Sequence, residues 1–273
     1  ALYKFYEATM TAGALERLRM ETALREALER GEFEVYYQLQ FDLFTGQPAG
    51  AEALLRWHHP ERGIVPPIDF IPMAEEIGLI EKIGVWVLEE ACKQILRWDA
   101  EGFTLPMVAV NLSSRQLEHA DLVPRIASIL MRTGLEPKRL ELELTESMIM
   151  RPDGSAGDAL KALQALGVRL AVDDFGTGYS SLGYLKRLPL NRLKIDRTFV
   201  NDIGVDPNGE AITQVVIAMG RSLGLEVIAE GIETEQQAEF LRIQGCRLGQ
   251  GYYYAHPMDT TRIAAFIQAR QTT

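Results

Sequence analysis

Six short apolar runs of this chain each carry a carboxylate, a carboxamide or a lysine, usually at their C-terminal end. They are Ala51-Glu52-Ala53-Leu54-Leu55, Met107-Val108-Ala109-Val110-Asn111, Leu140-Glu141-Leu142-Glu143-Leu144, Leu170-Ala171-Val172-Asp173-Asp174, Leu193-Lys194-Ile195-Asp196 and Glu226-Val227-Ile228-Ala229-Glu230. A charge inside an apolar strand is costly unless it is paired or binds a metal. Six such runs in series predict strands that deliver their polar groups to one shared site.

The order of elements fixes the kind of sheet. Apolar spacing predicts a helix over 13–30, stopped at Gly31, then strands over 33–42 and 50–57 joined through Thr45-Gly46 as an antiparallel pair. Beyond residue 69 the pattern changes. Helices at 69–77 and 80–101 precede strand 107–113, helix 121–134, strand 139–145, helix 155–166 and strand 169–174. A short helix at 179–187, strand 192–196, helix 209–223, strand 225–230, helix 234–244, strand 249–254 and helix 259–270 complete the chain. Such alternation implies right-handed crossovers and a mostly parallel sheet. The steps from Asn111 to Glu143, Glu143 to Asp173 and Lys194 to Glu230 are each roughly one strand–helix unit of 30 or more residues. Eight strands in this order favour a closed (β/α)8 TIM-like barrel over an open doubly wound sheet, and a barrel site sits at the C-terminal strand ends. No Gly-x-Gly-x-x-Gly follows the first strand, which argues against a dinucleotide fold.

A chain of 273 residues, 47 % hydrophobic, suits one such barrel. It shows neither an apolar run of the roughly 18 residues a membrane span needs nor a secretory leader. Cys92 and Cys246 lack metal-type spacing and read as two buried free thiols of a reducing compartment.

The net charge of −10 argues against a duplex nucleic-acid partner but leaves room for a small phosphorylated ligand. An anionic ligand beside carboxylates requires divalent cations between them. Glu52, Asn111, Glu143, Asp173 and Asp174 are hard oxygen donors, the set for Mg²⁺ or Mn²⁺ rather than Zn²⁺. Neighbouring strand residues point to opposite faces, so the strand must kink if Asp173 and Asp174 are to share a site, with freedom supplied by Gly176 and Gly178. One carboxylate bridging two cations would give a two-metal site. A turn or helix cap is the plainer reading of the aspartate pair, a rim ion pair that of Glu52 and Glu230, and a local cap that of Asn111. Glu141 shares its strand face with Glu143, so either could simply pair with a lysine. Lys194 could form a Schiff base, act as a cation near a phosphoryl oxygen, or simply pair with Asp173 or Glu230. The surrounding carboxylates favour the cation, because they oppose the lowered pKa a Schiff base needs. Glu146 reads as orienting the loop after Gly176, His58-His59 as loop, and Tyr252-Tyr253-Tyr254 as barrel packing rather than a shelf for bases.

The segment Glu52-Ala53-Leu54-Leu55-Arg56-Trp57 resembles the signature of the EAL domain, the cyclic di-GMP phosphodiesterase family. Asp69-Phe70-Ile71-Pro72, Asn111-Leu112-Ser113, Glu143-Leu144-Thr145-Glu146, Asp173-Asp174-Phe175-Gly176-Thr177-Gly178, Lys194-Ile195-Asp196-Arg197, Glu230-Gly231-Ile232-Glu233 and Gln250-Gly251-Tyr252 ahead of Pro257 extend it from about Glu32 to Phe266. The resemblance implies a barrel whose first strand runs against the others. It implies that Glu52, Asn111, Glu143 and Asp173 hold one metal, and that Asp173, Asp174 and Glu230 hold a second. Lys194 would orient the attacking water or offset charge, Gln38, Arg56 and Gln250 would contact the nucleotide, and Glu146 and Glu233 would brace the site loops. Leu39 stands where the family usually has proline, which leaves the ligands intact and bears only on local strand geometry.

Ala1 to Arg30 resembles the tail of a GGDEF domain and its connecting helix, ahead of an EAL barrel over 31–273. The implied activity is cleavage of one ester of cyclic di-GMP to linear 5′-pGpG with Mg²⁺ or Mn²⁺, Ca²⁺ being inhibitory. The implied setting is a cytoplasmic, probable-homodimer module of a larger sensor protein that could itself be membrane-anchored. The rival readings are a catalytically silent cyclic di-GMP receptor and a lysine-dependent aldolase barrel.

Overall fold

Strand β1 (Phe33–Asp42) turns through Asp42, whose carboxylate accepts the backbone N–H groups of Phe44 and Thr45, into β2 (Pro48–His59). The computed structural model describes residues 8–149, 155–176 and 182–271. Seven further strands follow: β3 (Gly63–Val65), β4 (Val108–Asn111), β5 (Leu140–Thr145), β6 (Arg169–Phe175), β7 (Arg192–Ile195), β8 (Glu226–Ala229) and β9 (Leu248–Gly249). Their order is β1-β9-β8-β7-β6-β5-β4-β2-β3, and β1 also pairs with β2, so eight strands close into a ring with β3 as an appendage. Every pairing from β2 through β4 to β9 is parallel, while β1 meets β9 antiparallel. This is the α/β TIM-like barrel with one reversed strand that the sequence predicts.

The chain divides into two compact units. The smaller comprises Ala1–Glu34 with Leu55–Ile83, the larger Val35–Leu54 with Gly84–Thr273, and the closed ring lies in the larger. In the smaller unit, Trp57 and Phe70 are fully buried, meet edge to face and pack at tilted angles on Phe33, and Trp57 Nε1 donates to Glu32 Oε2 at 3.0 Å. In the larger unit, the ring strands are buried almost throughout, as a parallel sheet sheathed by helices requires.

Some elements differ from expectation for local reasons. His58 and His59 end β2, opposite Ile64 and Gly63 of β3, and are not loop. Three one-turn helices, Ser114–Glu118, Glu146–Ile149 and Arg197–Asn201, follow β4, β5 and β7 directly and are too short for apolar periodicity to announce. The last ring strand is only Leu248–Gly249, because Ile232 N–H donates to Gln250 O and Tyr253 N–H to Ile232 O, folding the chain into a turn. Tyr252 and Tyr253 are therefore 56 % and 44 % exposed on that turn and do not pack the barrel interior. Leu39, the departure from proline, is fully buried in an unbroken β1. Both cysteines are free and buried, and burial pushes each thiol up to about 12.

Candidate active site

The parallel strands deliver their polar tips to one end of the ring. Glu52 lies on β2, Asn111 ends β4, Glu143 lies on β5, Asp173 and Asp174 near the end of β6, and Lys194 on β7. Glu230 and Gln250 follow the last residues of β8 and β9.

They converge on Lys194, which is 1 % exposed. Its Nζ lies 2.7 Å from Glu143 Oε2, 2.7 Å from Glu230 Oε1, 3.1 Å from Asp173 Oδ2 and 3.9 Å from Glu52 Oε2. A second layer of amides holds Glu52. Asn111 Nδ2 donates to Glu52 Oε1 at 2.7 Å, and Gln250 Nε2 donates to Glu52 Oε2 at 2.6 Å. Gln250 Nε2 also donates to Gln38 Oε1, and Gln38 Nε2 to the Ala255 carbonyl, both at 3.0 Å. Gln38 and Gln250 thus form a relay ending on the Glu52 carboxylate.

The aspartate pair depends on a local distortion. The β6–β7 register shifts between Val172 and Phe175, and Asp174 has φ 53°, the left-handed region. The freedom expected of the glycines is thus taken first at Asp174 itself. Aspartate tolerates that region better than most residues. Its backbone N–H donates to Asp173 Oδ1 at 2.9 Å. Two residues on, Gly176 donates its N–H to Glu146 Oε2 at 3.0 Å, and a side chain at Gly176 would lie 2.8 Å from the Phe199 ring. Glu146 thus tethers the chain just after the pair.

Two other expected residues have local contacts of their own. Glu233 is exposed, and its backbone N–H, at 2.7 Å from Gln237 Oε1, joins the cap of helix Glu235–Ile243. Arg56 belongs to the smaller unit, where Nη1 donates to the Leu55 carbonyl at 2.9 Å. Sequence reasoning quoted Asp196 without giving it a role. Its carboxylate caps helix Arg197–Asn201 and faces Asp174.

The electrostatics are those of too many anions in a small volume. Burial would raise Glu52, but the Lys194 ammonium and the Gln250 and Asn111 amides hold it below the usual carboxylate range. Burial pushes Glu143 well up, reinforced by Glu52. Burial pushes Glu230 up to about 8 against the pull of Lys194. Partial burial, then Asp173 and Asp196, push Asp174 up to about 6. Burial alone would lower Lys194, but Asp173, Glu143, Glu230 and Glu52 together raise it well above the ordinary lysine value, opposite to the lowered value a Schiff-base lysine needs.

Among the described residues, no three His, Cys, Asp or Glu side chains close on a common metal position as they stand, the carboxylates being gathered on the ammonium. The donors nonetheless suit a hard divalent cation. They are all oxygens, they outnumber the one ammonium among them, and Glu143 Oε1 is buried with no hydrogen-bond partner.

Comparison with known proteins agrees with this geometry. A family model described as the EAL domain matches residues 21–257. The chain is 46 % identical over 265 residues to the bifunctional diguanylate cyclase/cyclic di-GMP phosphodiesterase MucR of Pseudomonas aeruginosa, covering 97 % of this chain and 39 % of that protein. It is 41 % identical over 266 residues to the cyclic di-GMP phosphodiesterase NbdA of the same organism, covering 97 % of this chain and 34 % of that protein. The solved P. aeruginosa MucR phosphodiesterase in complex with c-di-GMP superposes with a TM-score of 0.87 at 46 % identity, covering 90 % of this chain and 99 % of that one. The chain therefore spans well under half the length of these curated relatives.

Proposed function

The chain belongs to the EAL domain family, and we propose that its barrel hydrolyses one phosphodiester bond of cyclic di-GMP to linear 5′-pGpG, with two divalent cations, Mg²⁺ or Mn²⁺. The observation that carries this reading is the gathering of four carboxylates, three on strands β2, β5 and β6 and one just after β8, within 4 Å of Lys194. The NbdA and MucR names and the MucR complex support the substrate.

Glu52, Asn111, Glu143 and Asp173 would hold one cation, and Asp173, Asp174 and Glu230 the other. When bound, the cations supply Lewis acidity, which activates water and neutralises phosphoryl charge. The protein contributes orientation. With Lys194, the Gln250 and Asn111 amides keep Glu52 ionised, and they fix its orientation. Glu146 holds the backbone after the aspartate pair through Gly176. Lys194 Nζ keeps its proton, orients Glu143 and Glu230, and would offset charge on a phosphoryl oxygen at the strand ends. Glu230, whose carboxylate burial pushes up to about 8, would be the group that takes a proton from water. Gln38, Arg56 and Gln250 on the nucleotide, and Glu233 as a loop brace, complete the reading. So do a homodimer, a cytoplasmic setting, and residues 1–30 as the tail and connector of a preceding GGDEF domain.

The test is chromatography of cyclic di-GMP incubated with the purified chain and Mn²⁺, with and without chelator. Formation of pGpG that the chelator abolishes is expected. Tight binding without turnover would establish the receptor reading instead, and neither binding nor turnover would overturn both.

A further inference from the structure

One residue layer below the site, the barrel encloses a second charged cluster. Glu141 and Arg192 are 0 % and 2 % exposed. Arg192 Nη1 donates to Glu141 Oε1 at 2.7 Å and to Gln40 Oε1 at 3.0 Å. Its Nη2 donates to Glu226 Oε2 and to Met107 Sδ, both at 3.1 Å. Glu141 Oε2 also accepts from Arg169 Nε at 3.3 Å. Arg192 and Lys194 alternate on β7, as Glu141 and Glu143 do on β5, so each pair shares a strand face.

The register puts Arg192 within reach of the wrong carboxylate. Glu143 pairs with Ala171, and Ala171 pairs with Arg192, whereas Glu141 sits one row lower, opposite Arg169. Two strand spacings, about 10 Å between backbones, are bridged here by a long cation and a glutamate, as Lys194 and Glu143 do on the same two strands. Glu143 Oε1 is a buried acceptor with no partner, an open target for a guanidinium. Arg192 nevertheless faces away from it, onto Glu141. A buried ion pair adds little net stability compared with apolar side chains of similar size, so stability alone does not account for this one.

We propose that Glu141 is a positioning residue whose task is to hold the Arg192 guanidinium away from Glu143, leaving Glu143 open to a divalent cation. The inference rests on the reading of Glu143 as a metal ligand. Glu141 touches no reacting atom and acts through Arg192.

The test is equilibrium Mn²⁺ binding by calorimetry, with melting temperature recorded for each variant. Glu141→Gln removes the carboxylate that holds Arg192 Nη1 and leaves Glu226 on Nη2, and its Mn²⁺ Kd is expected to rise about tenfold or more, the usual scale for a lost outer-shell partner. Adding Arg192→Met removes the competitor, and the double variant is expected to return to within about threefold of wild type, a coupling opposite in sign to simple damage. Arg192→Met alone leaves Glu141 paired with Arg169 and is expected to bind Mn²⁺ at least as tightly as wild type. A Glu141→Gln variant that binds as wild type does, or a folded double variant as weak as the single, would overturn the proposal. If Glu141→Gln does not fold, the double variant and Arg192→Met decide: wild-type affinity supports the proposal and weakened affinity sinks it. If wild type itself binds no Mn²⁺, the failure belongs to the metal reading of the site.

Discussion

At the scale of the residue, Lys194 and Asp174 carry opposite kinds of strain. Lys194 offsets buried anions, and its removal strands Glu143 in the barrel interior. Lys194→Met is therefore expected to destabilise the metal-free protein by about 3–5 kcal/mol, the scale for breaking a buried pair. Denaturant unfolding in chelator measures it, and a loss below about 1 kcal/mol, the surface-pair range, would contradict the geometry. Asp174 holds a left-handed φ that glycine adopts freely. Asp174→Gly is expected to keep or raise metal-free stability by up to about 1 kcal/mol while abolishing turnover. A stability loss with activity retained would reverse its assigned role.

Titration follows from the same crowding. Glu143, Glu230 and Asp174 all have folded values above their ordinary ones, Glu230 at about 8 and Asp174 at about 6. Between the ordinary carboxylate range and pH 8 the folded state therefore binds more protons than the unfolded chain, so stability falls as pH rises through that window. Lowered Glu52 and raised Lys194 leave the window unaffected, because their contributions are lost below the ordinary carboxylate value and above the ordinary lysine value. The metal-free melting temperature should drop from pH 5 to pH 8, and saturating Mn²⁺ should flatten or reverse the drop. A rise in chelator would contradict the assigned shifts.

At the scale of the element, the closing turn after β9 is the most constrained. A Cβ at Gly251 would run into the Ile232 backbone, which cannot yield as a side-chain tip can. Gly251→Ala is expected to displace Gln250 from Glu52 and to lower kcat as well as stability, read by steady-state kinetics beside thermal melting. An unchanged kcat would detach that turn from the site. Legibility in the sequence divides along similar lines. Long amphipathic helices such as Ile80–Ala100 and Pro207–Leu223, and strands such as β5, declare themselves through their patterns. One-turn helices and the three-residue β3 do not, because three to five residues hold no period and long-range pairing decides them, while the strand expected at 249–254 shortens to Leu248–Gly249 for the same reason. The ligand candidates were legible because charges at the ends of apolar strands demand partners. The relay from Gln38 through Gln250 to Glu52 was not, since nothing local in β1 says which amide its side chain meets across the ring.

At the scale of the whole molecule, the closed ring brings residues from Gln38 to Gln250 to one mouth, where carboxylates outnumber the single Lys194 ammonium, so that on the proposed reading cations must precede a phosphodiester. Among the described residues no helix is long and apolar enough to cross a membrane. Mn²⁺ at 100 times its Kd should stabilise the fold by about 2.7 kcal/mol per site. Ca²⁺, larger and looser in its coordination, is expected to bind without supporting turnover, which the pGpG assay reads directly.

Asp173, the one carboxylate assigned to both proposed cations, is where the central claim is most exposed. The decisive measurement is the number of Mn²⁺ ions bound per chain, counted by electron paramagnetic resonance of the free ion, in wild type and in Asp173→Asn. Two ions in wild type, fewer in the variant and no pGpG from it are the expected result. Undiminished metal binding with wild-type turnover in Asp173→Asn would contradict a shared two-cation site at this barrel mouth.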